Sequence, residues 1–450
     1  MNLAERIAAD MPRVRAELEE LVRIPGCAFP GFPQADIERA CQAVVGLYEA
    51  AGYATVRRVE IEGGAPTVVA QTPGPEGSPT VLLYAHYDVQ PGGDPDLWQS
   101  PAFEPEERGG RLYGRGAADD KSGVVIHAAV MRAFDGQPPC TVRVVVEGEE
   151  EWGGPFVDYP RTHPEVFAAD AIVVADVGNA QLGEPTFTTA LRGMAAVTVE
   201  CRTLEGSVHS GMFGGPAPDA LMSLIMLLAT LRDPQTGQTT IEGIAGFEWD
   251  GAQYDEQVFR DLAGVLPDQP LVGRGSVASR LFSQPVVNVT GLDAPQVDGA
   301  INAVIPHARA RVSLRVPPGR DAVAAREALM DHLRRHAPWG VQVSVTAEAV
   351  GQGVRVATDG PAYAAARVAM EQAYGKPAQE IGAGGSIPLI DALREAVPDA
   401  EILLFGAQDP LARIHAPNES VDLAELQRAV VAQATFIEEF ARHGVRRPVV

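Results

Sequence analysis

Short apolar runs that lead into polar, chemically useful residues recur along this 450-residue chain. Residues 80–85 (TVLLYA) run into His86, and 142–146 (VRVVV) run into an acidic cluster. Residues 171–175 (AIVVA) run into Asp176, and 401–406 (EILLFG) lead toward His415. Their length and bounding residues predict buried strands. Between the first two, 121–134 (KSGVVIHAAVMRAF) has the length and composition of a helix. Strands alternating with helices predict an α/β fold, a mostly parallel sheet flanked by helices. The charged N-terminal stretch, residues 1–22, reads as an amphipathic helix and lacks the apolar core of a signal peptide.

The pattern changes in the middle of the chain. Residues 195–201 (AAVTVEC) and 310–316 (ARVSLRV) alternate as half-exposed strands do, and 219–231 and 321–335 read as helices. Strands on one face and helices on the other predict an α+β domain inserted within the first. Its edges fall near Thr189 and Val350, giving segments 1–189, 190–350 and 351–450. A wet, Gly- and Asp-rich stretch over 243–280 predicts loops. The longest apolar run, 221–231, is too short to span a bilayer and predicts a buried helix.

Composition narrows the function classes. A chain 46% hydrophobic and 21% charged is ordinary for a globular protein, and its length allows two or three domains. The formal net charge of −23 repels phosphate backbones and argues against a nucleic-acid partner. Cys27, Cys41, Cys140 and Cys201 lie far apart with no CxxC pair, which reads as reduced thiols in a cytoplasmic protein.

The chemistry gathers where the strands end. Ligands of open α/β sheets bind beyond the carboxyl ends of the strands. His86, Glu151, Asp176 and His415 follow predicted strands, and Asp119 in GRGAADDKSG precedes a helix. Each has an ordinary structural reading alone: a hydrogen-bonded histidine, a solvated acid, or, for Asp119, a helix N-cap. Five together point to a metal centre. Imidazole and carboxylate ligands without thiolate suit zinc, with manganese or cobalt as substitutes. One metal takes about four ligands, so five with a bridging carboxylate fit two metals about 3.5–4 Å apart. Asp88, two residues after His86 in an extended segment, points the same way and can orient the imidazole. Glu150, beside Glu151, can take a proton from a metal-activated water.

The motifs YAHYDVQP (84–91), LYGRGAADDKSG (112–123), EGEEEWG (147–153), VHSGMFGG (208–215), GGSIP (384–388) and IHAPNES (414–420), with Asp176 after its strand, cover nearly the whole chain in order. Together they resemble the cytosolic dipeptidase, carnosinase and glutamate carboxypeptidase family of dinuclear zinc hydrolases, which also includes aminoacylases. The resemblance implies a catalytic domain interrupted by a lid that also forms a homodimer. It implies His86 and Asp176 on one zinc, Glu151 and His415 on the other, and Asp119 bridging, followed by a cis peptide at Asp119–Asp120. Glu150 would be general base and then acid, with Asp88 supporting His86. His209 would help hold the oxyanion in the neighbouring active site. Arg315 and Asn302 would hold a substrate carboxylate, and Gly384, Gly385 and Ser386 would line the cleft.

Two positions depart from the pattern. Ala383 stands where dipeptidases of this family often carry a glutamate that can bind a free amine. Near Asp359 and Gly360, a substrate histidine of the carnosinase-like branch is replaced. The sequence therefore predicts a two-zinc hydrolase of amide bonds in small peptides or acyl-amino acids, a dipeptidase first. An N-acyl-amino-acid deacylase or a glutamate-carboxypeptidase-like exopeptidase uses the same chemistry, and a non-catalytic metal-binding relative is the reading from a different class.

Overall fold

The computed structural model describes residues 1–385 and 387–443. The chain divides into two compact units. One comprises Met1–Thr189, Val356–Ile381 and Leu389–Val450, the other Ala190–Arg355 and Gly382–Pro388.

The first unit is built on a six-stranded sheet. Its order is Thr55–Val59, Thr67–Thr72, Thr141–Glu147, Thr80–His86, Ala171–Val174 and Glu401–Leu404. The last four are parallel, and the first two add an antiparallel edge. Strands such as Ala171–Val174 are buried at every position, as expected of sheets covered on both faces. The Lys121–Ala133 helix joins two parallel neighbours and is almost wholly buried. The Leu3–Val22 helix begins in a capping box, Asn2 and Glu5 each accepting the other's amide, and buries Ile7, Val14, Leu18 and Leu21 on one face. It packs with the Lys121–Ala133 and Leu423–His443 helices.

The second unit is a four-stranded antiparallel sheet ordered Val286–Asp293, His307–Val316, Gly193–Arg202 and Gln342–Gly351. The helices Ala220–Ala229 and Ala322–Arg335 pack on its central strands. Two expectations need correction here. The 243–280 stretch is not loop throughout: Asp255 caps a helix at Glu256–Ala263, and Ser276 caps another at Val277–Phe282. The apolar 221–231 segment is not a fully buried helix. Leu224 and Leu227 are buried, but Met222, Ile225 and Met226 lie bare on the opposite face. Among the described residues no helix is long and apolar enough to cross a membrane.

Two glycines let the ends of the parallel strands close together. A Cβ on Gly406 would sit 1.9 Å from the Ala175 carbonyl oxygen, and one on Gly178 would sit 1.8 Å from that of Gln408. Both contacts are backbone, so neither can be relieved by a rotamer change. Gly406→Ala should therefore destabilise the protein by about 1–3 kcal/mol, measured as a lowered urea midpoint with an unchanged slope. An unaltered midpoint would show that the strand ends yield freely.

Candidate metal centre

Each candidate side chain owes its place to local backbone. His86 is the last residue of its strand and pairs in register with Glu147 of the parallel neighbour. The acidic run 149–151 therefore emerges beside His86. Asp176 lies just past the next strand of the sheet. Asp120, not Asp119, caps the Lys121–Ala133 helix, accepting from the Gly123 amide at 3.1 Å. The Asp119 carboxylate is thus free of the capping role, and the Asp119–Asp120 peptide bond is cis. His415 sits on a loop, not at a strand end, in left-handed backbone (φ +62°) between the similarly left-handed Arg413 and Asn418.

These pieces converge on Asp119. Its Oδ1 lies 3.1 Å from His86 Nε2, and its Oδ2 lies 3.0 Å from His415 Nε2. His86 Nε2 is also 3.9 Å from Asp176 Oδ1, and His415 Nε2 is 3.0 Å from Glu151 Oε2. One carboxylate thus turns an oxygen toward each of two imidazoles, each with a second carboxylate at hand. His86, Glu150 and Asp176 offer donor atoms within 4.8 Å of one another, as do His86, Asp119 and Glu151. This all-nitrogen-and-oxygen donor set fits two divalent cations sharing Asp119.

Asp88 fastens the other edge. Its Oδ1 lies 3.2 Å from His86 Nδ1, and its two oxygens accept from the amides of Glu150 and Glu151 at 3.1 Å each. One buried carboxylate thereby orients an imidazole and fixes the acidic turn beside it. Gln408 donates to Asp176 Oδ1 at 3.0 Å, and Gln90 donates to Glu151 Oε2 at 3.0 Å.

The electrostatics are those of anions held together by imidazolium. Burial opposes charge on His86, but Asp119 and Asp88 outweigh it and raise its pKa well above the usual range. Asp119 and Glu151 push His415 up to about 10. Burial also opposes charge on Asp119, yet hydrogen bonds from His415 and His86 hold it below the carboxylate range. Burial, reinforced by Asp119, raises Asp176 well above it. Burial pushes Glu150 up to about 7, with His86 pulling against it and Asp88, Asp119 and Glu151 adding to it. Metal binding needs neutral imidazole and ionised carboxylate, so uptake here would release protons.

A supporting residue escaped the sequence reading although it lay inside IHAPNES. Glu419 is fully buried and accepts from the amides of Ala118 and Asp119 at 3.1 and 3.2 Å. Its other oxygen meets Arg115 at 2.6 Å. It ties the segment carrying His415 to the backbone of Asp119. Arg111 reinforces the loop through Asp409 and Ser420, and Asn418 is bonded to Gln99 and Leu97. Nothing in residue spacing separates Glu419 from any exposed acid.

The remaining candidates belong to the second unit. His209 is exposed on a short ribbon, Val208–His209 paired with Ala303–Val304, and its Nδ1 accepts from the Gly211 amide at 3.1 Å. Asn302 adjoins it, its carbonyl accepting from the Ser210 amide at 3.0 Å. Arg315 lies on the His307–Val316 strand, opposite Met194 and Val286. Gly384 and Gly385 are exposed, and Ser386 lies outside the described residues.

Residues 82–439 match the sequence pattern of the peptidase family M20/M25/M40. The chain is 37% identical over 416 residues to a cysteinylglycine-S-conjugate dipeptidase of Corynebacterium striatum, covering 90% of each protein. It is 26% identical over 404 residues to the human Beta-Ala-His dipeptidase, covering 84% of this chain and 78% of that one. Among solved structures, human carnosine dipeptidase 1 shares the fold with a TM-score of 0.81 at 22% identity, over 98% of each chain.

Removing the Glu419 carboxylate leaves Arg115 as a buried, unpaired charge and two amides without acceptors. Glu419→Ala should cost about 3–5 kcal/mol of stability, measured by urea unfolding, while Glu106→Ala at the exposed surface should cost under about 0.5 kcal/mol. Equal effects would mean that Glu419 ties nothing together.

Proposed function

This chain belongs to the peptidase family M20/M25/M40 and is a metal-dependent peptidase, and on that premise we propose that it is a two-metal dipeptidase. The observation that carries the proposal is Asp119, with one oxygen toward His86 and the other toward His415. In this reading His86 and Asp176 would hold one ion, Glu151 and His415 would hold the other, and Asp119 would serve both. Zinc suits these ligands, and manganese or cobalt would substitute. When bound, the ions would supply Lewis acidity at the scissile carbonyl and lower the pKa of a shared water.

The chain's own residues do the rest. Asp88 holds the His86 ring through Nδ1, leaving Nε2 free as a ligand. Glu150 accepts a proton from the attacking water as its oxygen adds to the carbonyl carbon. It then delivers that proton to the amine nitrogen as the C–N bond breaks. Without metal, burial lifts this carboxyl to about 7, and bound cations would lower it again, toward the ionised form that a base needs. In the inserted unit, Arg315 and Asn302 hold the substrate carboxylate, Arg315 offering two parallel N–H donors, and the backbone at Gly384 and Gly385 contacts the substrate. His209 helps hold the oxyanion of a neighbouring subunit. The bare Met222, Ile225 and Met226, on one face of a helix of this unit, support a homodimer, since apolar side chains of this size exposed together mark interaction surfaces. Four buried, unpaired cysteines suit a cytoplasmic setting.

The relative from Corynebacterium striatum makes an S-substituted cysteinylglycine the first dipeptide to assay. Ala383 is the reason to compare it with its N-acetylated form. A dipeptidase loses hydrolysis on acetylation, whereas equal turnover of both would move the assignment to a deacylase or carboxypeptidase. Glu150→Ala should lower kcat by about 100-fold to 10,000-fold with metal content by elemental analysis unchanged. Near-normal turnover would remove Glu150 as the base, and a loss of metal together with activity would make it a ligand instead.

A further inference from the structure

Each of the two carboxylates assigned to a single ion accepts a side-chain amide. Gln408 Nε2 donates to Asp176 Oδ1 at 3.0 Å, and Gln90 Nε2 donates to Glu151 Oε2 at 3.0 Å. Asp119, assigned to both ions, instead has its backbone amide held by Glu419 at 3.2 Å. The nitrogen end of an amide is the end that can face an ionised carboxylate, so chemistry fixes the direction of both bonds.

Both amides are presented from tied positions. The Gln408 carbonyl accepts from the Asn179 amide at 2.9 Å, three residues beyond Asp176, and Gln408 pairs with Gly178 in a parallel bridge. The next residue, Asp409, is buried and meets Arg111 at 2.7 Å, which donates to Ser420. Gln408 is therefore rooted in backbone that runs beside Asp176. Gln90 follows His86 and Asp88 at two-residue intervals, and its Nε2 also reaches the Glu151 carbonyl at 3.4 Å.

Neutrality is what these donors share. A lysine or arginine in either place would hold the acid too, but its charge would compete with a metal cation for it. An amide restrains the carboxylate's rotation and leaves its charge for the metal. Contacts of this kind behind a ligand typically carry about 10-fold to 100-fold in metal affinity. We infer that Gln408 and Gln90 are positioning residues that set the affinities of the two ions separately, Gln408 through Asp176 and Gln90 through Glu151. The inference rests on the two-metal reading above.

Zinc titrations against a competing chelator test it, by giving two binding constants for the wild-type protein. Gln408→Leu should weaken one constant about 10-fold to 100-fold, and Gln90→Leu should also weaken one. The double substitution should weaken both, because the two amides serve different ions. Urea midpoints of the metal-free variants separate this from a merely structural role, which would lower the midpoint and leave the constants in place. Should Gln408→Leu fail to melt cooperatively, Gln90→Leu, at a half-buried position, decides. Unchanged constants in either folded single variant, or one weakened constant in the double, would overturn the inference and leave the two-metal reading standing. A wild-type protein that takes up fewer than two ions would overturn that reading, and this inference with it.

Discussion

Several carboxylates are crowded against two imidazoles at the end of the parallel sheet, and nearly everything nearby is arranged to keep them there. Asp88, Asp119, Glu150, Glu151 and Asp176 surround His86 and His415, and mutual repulsion in a poorly solvated space works to push them apart. The raised pKa values of both histidines and the depressed value of Asp119 record how the protein answers that repulsion with protons. Divalent cations would do the same work better, because one ion would neutralise more than one carboxylate and could be shared by Asp119.

The fold supplies the compensating rigidity. Three parallel strands end side by side and deliver His86, the Glu149–Glu151 turn and Asp176 into one small volume. Gly178 and Gly406 allow the backbones beyond those strands to approach closer than any side chain permits. Glu419 fastens the exposed loop of His415 to the amide of Asp119, with Arg115 as counter-charge. Loops are where such a site is weakest, and His415, its side chain 52% exposed, is the ligand candidate with least burial to hold it.

How much of this was legible in the sequence depended on whether a residue's role leaves a local pattern. The parallel strands did, as short β-branched runs, and so did the candidates that follow them. Asp88 did through the two-residue period of extended backbone. Glu419 and Gln408 did not, because their roles depend on partners hundreds of positions away, which cannot be read from spacing. The helices Glu256–Ala263 and Val277–Phe282 were hidden because Gly, Asp and Pro around them outweigh their short amphipathic runs. Apolarity in 221–231 did not distinguish a buried face from a bare one, since both are built from the same side chains.

The central claim is that Asp119 joins two metal ions, and electron paramagnetic resonance of the manganese-loaded protein tests it most directly. Two ions about 3.5–4 Å apart across a shared carboxylate should give an exchange-coupled spectrum once two equivalents are bound, and Asp119→Ala should abolish the coupling. A spectrum of isolated manganese ions at saturation, unchanged by that substitution, would contradict the account.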